Sequence, residues 1–545
     1  MTEQPATLPS LLASVVAARG SHDAVAMPHE TLSYDELDRR TGRLARALLA
    51  HGAGKGTRIA LMAPDGIMWL TSFLAGLRIG ALVSAVSTLA TPPELAHILR
   101  ASDAQIVISA RNFLRHDYAA TLEAALPGLA DGEVGKLRLT TAPYLRSIFL
   151  DDAEGLGWAG SIDALAALAD LPDAPDATLL AEIEKEVVPG DPAVIVYTSG
   201  STSAPKAVIH SQKTIARHPV ELAKLFLIRP DDRMMPMLPA FWLGGMAMLF
   251  QVLSQGATLV YPGSPAIEDF AQAFLKLGVN RINGWGDGLV KLKARAAELG
   301  VDVDSITGFL PFRDKAGEVL PPELSSNMLG MSETFAPHSA EPIDVRLPAD
   351  KAGASGRSVN NYERRIVDPE TGEILGPDQI GELQLRGGGL TIGFYKRDPA
   401  EVFTPDGFYP TGDLCRIDAD DYLYFVARRN DMIKTRAANV SRLEVEAAMR
   451  ALPGVELPVV AGLTDAEFGE IVVAAVVPAP GALLDEEEMR AALRGSLSSF
   501  KVPRRIIFIT HDEVPRTATG KIKLFETAHM IASHIGAPTP AKTAG

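Results

Sequence analysis

The chain has 545 residues, more than one hydrophobic core organises, so at least two domains are expected. With 47% hydrophobic and 22% charged residues it has the composition of a folded globular protein. The net charge of −15 argues against a nucleic-acid partner, and the single cysteine, Cys415, excludes an internal disulfide and a cysteine-built zinc site, which fits a reducing cytoplasm.

The opening "MTEQPATLPS" has no basic region followed by an apolar stretch, so no signal peptide is expected. "YDELDRRTGRLARALLAHG" carries Leu37, Leu44, Ala45 and Leu48 on one helical face and ends at Gly52, predicting an amphipathic helix with a glycine stop. "RIALMA" and "AQIVIS" read as strands with helical stretches between them. Strands alternating with helices predict parallel sheets covered on both faces. The apolar run 73–86 is interrupted by Arg78 and is too short to cross a bilayer, so it is expected to be a buried helix and not a transmembrane segment.

Gly155, Gly157 and Gly160 match the spacing of the dinucleotide fingerprint. "DDAE" separates them from the strand-like "SIFL", however, and its acidic residues would repel a pyrophosphate, so that reading is set aside. A second block of alternating strands and helices runs from about residue 190 to 345. "RRIVD", "GELQLRG" and "YLYFVA" then predict shorter strands of a β-rich subdomain. After Arg428, "SRLEVEAAMRALPGV" and "DEEEMRAALRGSL" read as helices and "EIVVAAVVP" and "RRIIFI" as strands. These form a compact α+β domain of about 100 residues. The final "APTPAKTAG" is Pro/Ala/Thr-rich and reads as a disordered tail.

The chemistry concentrates in "YTSGSTSAPKAVIH" (197–210). The apolar run Ala193, Val194, Ile195, Val196 predicts a buried strand that empties into this segment. Thr198, Ser199, Ser201 and Thr202, with the backbone N–H groups around Gly200, are donors suited to anionic oxygens, and Lys206 adds a point charge. No second glycine precedes Lys206, and Ala207 stands where a P-loop has its magnesium-binding hydroxyl, so this is not the usual P-loop. A solvated Ser/Thr linker is the plainer alternative.

Five further motifs follow in order: "LGMSE" (329–333), "GELQLRG" (381–387), "YPTGDL" (409–414), "ARRNDMIKTRAANVSRLEVE" (427–446) and "PRTATGKI" (515–522). Together with the first, they resemble the adenylate-forming superfamily of acyl-CoA synthetases, firefly luciferase and peptide-synthetase adenylation domains, over about residues 32–524. The resemblance implies an α/β fold. Its large N-terminal domain (1–430) would have parallel-rich sheets with helices and a β-rich subdomain, and a small mobile α+β domain (431–530) would precede a disordered tail (531–545).

It also implies roles. Thr198, Ser199, Gly200, Ser201, Thr202 and Lys206 would hold the ATP β- and γ-phosphates, with Gly330 and Met331 also at the nucleotide. Ser332 and Glu333 match the family's Thr-Glu pair, whose carboxylate helps to bind Mg2+. Asp413 and Arg428 would contact the ribose, Asp431 would be the hinge, and Lys521 would be the catalytic lysine that the small domain brings to the reacting carboxylate. Lys434 and Ala437 would lie on the path of the coenzyme A thiol, with Ala437 where the family has glycine. Phe241, Trp242 and Gly244 correspond to the stretch before the acyl pocket, Trp242 standing at a histidine position. Phe309 and Phe312 replace small residues in the wall that the adenine and acyl pockets share. The implied activity is AMP-forming ligation of a bulky apolar carboxylic acid to coenzyme A. A carrier-protein thiol as acceptor, or a catalytically silent nucleotide-binding protein, are the alternatives.

Overall fold

The structure, a computed structural model, describes residues 5–198, 206–284, 287–369, 371–428, 433–435, 438–440, 442–465, 469–516, 522 and 524–536. Two parallel-rich sheets organise the large domain. The larger has eight strands in the order Gly393–Phe394, Lys206–Ser211, Pro192–Thr198, Leu82–Ala85, Arg58–Met62, Ile106–Ser109, Ser147–Leu150 and Gly160–Ser161. It is parallel except at its first end, where Lys206–Ser211 runs antiparallel to both neighbours. The second sheet orders Arg281–Asn283, Arg233–Pro236, Thr258–Val260, Asp23–Ala26 and Thr31–Ser33, and only its last pair is antiparallel.

Helices fill the space around these sheets. In helix Tyr34–Ala50 the Ser33 side chain caps the N-terminus by accepting from the Glu36 N–H, and Leu37, Leu44, Ala45 and Leu48 are buried. The chain leaves at Gly52 with φ near +90°, a left-handed turn that glycine makes without strain. The run 73–86 is not one helix. Helix Ile67–Arg78 stops at Arg78, Gly80 turns with φ +70°, and Leu82–Ala85 is a buried strand. Arg78 is tolerated inside the core because Glu184, Asp38 and the Thr41 hydroxyl accept from its guanidinium. Gly155, Gly157 and Gly160 lead into the edge strand Gly160–Ser161.

The β-rich subdomain is an antiparallel sheet of Glu363–Val367, Gly381–Arg386, Tyr409–Ile417 and Leu423–Arg428, beside a three-stranded sheet of Leu329–Met331, Ala336–Ala340 and Arg357–Ser358. Short strand Gly393–Phe394 ties this region to the large sheet.

In the small domain, Ala438–Val440, Ile433–Thr435, Gly469–Pro478 and Val455–Asp465 lie side by side, and Arg505–Phe508 runs parallel to Gly469–Pro478. The sheet is covered on both faces. Val472, Ala474 and Val476 pack with Val445, Met449, Met489 and Leu493 on one side. The intervening Val473, Ala475 and Val477 pack with Ile531 and Ala532 on the other. Those last two residues correct the sequence reading of the tail. Helix Leu524–Ile535 continues through 531–535, because burying Ile531 and Ala532 completes the second face.

Candidate active site

The strands that flank the hydroxyl-rich segment, Pro192–Thr198 and Lys206–Ser211, pair antiparallel as a β-hairpin. Pairing between Pro192–Thr198 and Lys206–Ser211 continues until Thr198 lies opposite Lys206, so the two ends of the hydroxyl-rich stretch are fixed side by side. Ser199, Gly200, Ser201 and Thr202 lie outside the described residues. Lys206 Nζ sits 5.2 Å from the centroid of the Phe394 ring, a cation–π contact with the neighbouring strand Gly393–Phe394.

Four residues along the same strand, His210 reaches the next part of the site. Its Nε2–H donates to the Ser332 carbonyl across 2.7 Å, and its ring meets Phe335 edge-on at 4.9 Å. Burial pushes the His210 pKa down to about 4, the bond to Ser332 opposing, so the ring is neutral near pH 7. Ser332 and Glu333 occupy a single 3-10 turn, Ser332–Thr334, after strand Leu329–Met331. Glu333 is buried: Tyr409 Oη donates to Glu333 Oε1 across 3.1 Å, and the Thr391 N–H donates to the Glu333 carbonyl across 2.6 Å. The turn is held under strain. Phe335 (φ 50°) and Ala336 (φ 92°) follow it in the left-handed region, at about 1–3 kcal/mol each.

Gly330 is required by the backbone. A Cβ there would come 2.5 Å from the Ala336 carbonyl oxygen across the hairpin. Met331 packs against the core of the β-rich subdomain, and its N–H donates to Thr334 Oγ1.

Tyr409 begins the strand that carries Asp413. Thr411 Oγ1 donates to the Leu383 carbonyl and accepts from the Asp413 N–H, while Gly412 turns with φ +74° and donates its N–H to Glu382 Oε1. Asp413 is 2% exposed and pairs across the sheet with Arg428. The hairpin mouth, the Glu333 turn and the Asp413 strand are therefore mechanically joined through His210, Thr391 and Tyr409. Sequence reasoning missed these three. Two of them stood inside quoted motifs, His210 at the end of "YTSGSTSAPKAVIH" and Tyr409 at the start of "YPTGDL", as the apolar or aromatic flanks of the chemistry.

Phe241 and Trp242 lie in the turn before helix Leu243–Gln255. Phe241 is buried, with its ring edge-on to Trp242 at 5.5 Å. Trp242 is the N-cap residue, its N–H donating to the Pro239 carbonyl, and Gly244 lies in the first turn. Asp65 Oδ1 accepts from the Ala240 N–H at 3.0 Å and anchors this turn to the end of strand Arg58–Met62. Burial raises the Asp65 carboxyl to about pKa 7, the Ala240 bond opposing. On its far side Trp242 meets Phe500 of the small domain edge-on at 6.2 Å.

Phe309 is buried against Phe274, and both Phe309 and Phe312 line a cavity of about 190 Å³ with Leu227, Lys293, Ile343 and Asp344. None of Thr198, Lys206, Glu333, Asp413 and Trp242 lines that cavity. Lys434 is in strand Ile433–Thr435, whereas Asp431, Ala437 and Lys521 lie outside the described residues.

Among the described residues no cluster of three or more His, Cys, Asp and Glu could cage a metal. One carboxylate and one hydroxyl, Glu333 and Ser332, are too few oxygen ligands for a resident ion. They fit a hard cation that arrives with phosphate oxygens of its own. The donors of this region suit a polyanion at the hairpin mouth, and a carboxylate such as Asp413 can accept from vicinal hydroxyls.

The AMP-binding enzyme family model matches residues 13–395, and the AMP-binding enzyme C-terminal domain model matches residues 444–521. Over 519 residues the chain is 28% identical to an indoleacetate–CoA ligase of Aromatoleum aromaticum, covering 93% of this chain and 95% of that protein. It is 29% identical over 521 residues to a feruloyl-CoA synthase of an Amycolatopsis species, again covering 93% and 95%. The amide bond synthetase McbA of Marinactinospora thermotolerans shares the fold, with a TM-score of 0.75 at 23% identity over 95% of this chain and 98% of that one. The fold, the joined site and the two matched models lead to one conclusion: the chain belongs to the AMP-binding family of adenylate-forming enzymes.

Proposed function

We propose that this enzyme is an AMP-forming carboxylate–CoA ligase acting on a bulky apolar, most simply aromatic, carboxylic acid. The observation that carries the reading is the joining of Thr198, Lys206, Glu333 and Asp413 into one framework by His210, Thr391 and Tyr409. In the first step the substrate carboxylate attacks the α-phosphorus of ATP, forming the acyl-adenylate and releasing pyrophosphate. In the second, a CoA thiol attacks the acyl carbon, forming the thioester and releasing AMP.

The first step brings anions together, so its barrier is lowered by fixed positive charge and donors aimed at the phosphates. Lys206 and the hydroxyls beginning at Thr198 are assigned to the β- and γ-phosphates, Asp413 and Arg428 to the ribose, and Lys521 to the developing charge at the α-phosphate. Magnesium, bound with the nucleotide, offsets phosphate charge, and Glu333 with Ser332 supplies its protein oxygens. Asp431 is assigned as the hinge, and Lys434 and Ala437 to the thiol path.

The bulky-acid assignment rests on Phe241 and Trp242 at the head of helix Leu243–Gln255, and on relatives named for indoleacetate and ferulate. A cytoplasmic site of action is part of the proposal, in keeping with a cofactor set of ATP and coenzyme A. No helix among the described residues is long and apolar enough to cross a membrane. Pyrophosphate release and thioester formation with acetate, octanoate, benzoate, phenylacetate, indoleacetate and ferulate, with and without CoA, test the reading. Adenylation that never yields a CoA thioester with any acid would overturn the ligase assignment, and a preference for acetate would overturn the bulky pocket.

A further inference from the structure

Glu94 sits in the first turn of helix Pro92–Ala101 in the large domain. Its carboxylate closes the capping box by accepting from the Thr91 N–H at 2.9 Å. The same carboxylate also reaches into the other domain. Glu94 Oε2 accepts from Ser498 Oγ at 2.7 Å, and Glu94 Oε1 accepts from Lys501 Nζ at 3.0 Å. Lys501 Nζ in turn donates to Glu444 Oε1 at 2.7 Å, at the start of helix Arg442–Arg450.

Ser498, Lys501 and Glu444 are all buried. The ammonium thus stands between two carboxylates, those of Glu94 and Glu444. Burial would penalise Lys501, but Glu444 and Glu94 outweigh it and raise its pKa. Such a group is costly to leave unpaired, so the docked arrangement is sharply specified and not a casual surface contact.

The two-faced sheet tells which side of the small domain is docked. Phe500, which touches Trp242, packs on the face of Val472, Ala474 and Val476 together with helix Arg442–Arg450. Ile522, next in the chain to Lys521, packs on the opposite face with Val473, Ala475 and helix Leu524–Ile535. The face gripped by Glu94 is therefore the one opposite Ile522.

We propose that Glu94 is a positioning residue for the thiol-transfer step. By gripping Ser498 and Lys501, and Glu444 through Lys501, it holds the small domain in the arrangement that presents the Phe500 face to Trp242 and the acyl site. Adenylation uses the other face and does not need the grip. This assignment rests on the ligase reading and on the place given there to Lys521.

The two half-reactions, measured separately on the full chain, test it with the acid of the panel that wild-type enzyme turns over fastest. Pyrophosphate release reports the first step, and conversion of preformed acyl-adenylate by CoA reports the second. Glu94→Gln keeps the helix cap but loses the charge, Lys501→Met leaves the cap untouched, and Ser498→Ala is the mildest lesion. Each should slow transfer, the first two by about tenfold or more, with adenylation within about twofold, and Lys501→Arg should recover most of the loss. A double variant should cost little more than either single one. Unchanged transfer, equal loss in both steps, or loss confined to adenylation would overturn the assignment while leaving the ligase reading intact. Wild-type enzyme that forms adenylate and no thioester would overturn both. The melting temperature and the Ser498→Ala variant separate misfolding from loss of grip.

Discussion

Tyr409 Oη donates to Glu333 Oε1 across 3.1 Å, so the strand that presents Asp413 also orients the carboxylate assigned to magnesium. The bond is buried, and its acceptor can bind a cation only through the oxygen geometry the bond defines. Tyr409→Phe should raise the Mg2+ concentration needed for half-maximal pyrophosphate release about tenfold, the scale of one hydrogen bond to a charged group. Titration of Mg2+ at fixed ATP checks this, and the rank order of acids should not move. Unaltered Mg2+ dependence with a lowered melting temperature would make the hydroxyl a packing group only.

Lys521→Ala should slow acyl-adenylate formation by roughly 10² or more, the cost of losing one preorganised charge contact. Conversion of preformed adenylate to thioester should be largely spared. Comparable losses in the two steps would assign the lysine to folding and not to the first reaction.

Trp242 stands between Phe241 and Phe500, half-buried at the head of its helix. If it walls the acyl site, Trp242→Ala should shift preference towards larger acids and weaken use of the preferred one by about 3 kcal/mol, the scale of a large aromatic truncation. ATP affinity should hardly change. A uniform fall in kcat/KM over a graded series of acids, with rank order kept, would remove it from the pocket.

Acid stability should carry the signature of three buried imidazoles. Burial pushes His210 down to about 4 and His218 and His338 down to about 3, with nearby His210 also lowering His218 and Arg364 also lowering His338. Between about pH 6.5 and 4 the unfolded chain binds protons at these positions that the folded chain does not. Stability should therefore fall as pH is lowered, by up to about 1.4 kcal/mol per pH unit for each histidine. Asp65 acts with the opposite sign, since its folded pKa of about 7 lies above its ordinary value of 3.8 and the folded chain holds the extra proton between them. Melting curves from pH 7 to 4.5 should show a fall that steepens in Asp65→Asn and becomes shallower in His338→Asn. Identical slopes in all three proteins would contradict the titration assignments.

Much of this was legible because it is local. The spacing of Leu37, Leu44 and Leu48 with Gly52 gives a helix and its stop, and the run from Ala193 gives a strand. What escaped depends on partners far away in the chain. Strand Lys206–Ser211 has its hairpin partner Pro192–Thr198 close by, but its other neighbour, Gly393–Phe394 opposite Val208 and Ile209, comes from far along the chain. Arg78 sits in the core at the end of helix Ile67–Arg78, tolerated there because its guanidinium finds Asp38 and Glu184. Strand Val455–Asp465 contains Pro458, a residue that argues against a central strand, yet this is the edge strand of its sheet and Pro458 pairs opposite Val476 just past a register shift between Val455 and Leu457. The site motifs could be named from residue types and order, but the buried Tyr409–Glu333 and His210–Ser332 bonds could not. Hydrogen-bond partners of aromatic and imidazole side chains leave no trace in spacing.

In the small domain, parity along Gly469–Pro478 decides which side is which. Adding or deleting one residue inside that strand would send Val472, Ala474 and Val476 to the side of helix Leu524–Ile535 and their neighbours to the side of helix Arg442–Arg450. The ladder to Val455–Asp465 could re-form one step along, so the sheet would survive while its two coverings met the wrong surfaces. An indel scan across the domain should therefore show an abrupt intolerant window at this strand, with even-numbered changes less damaging than odd ones.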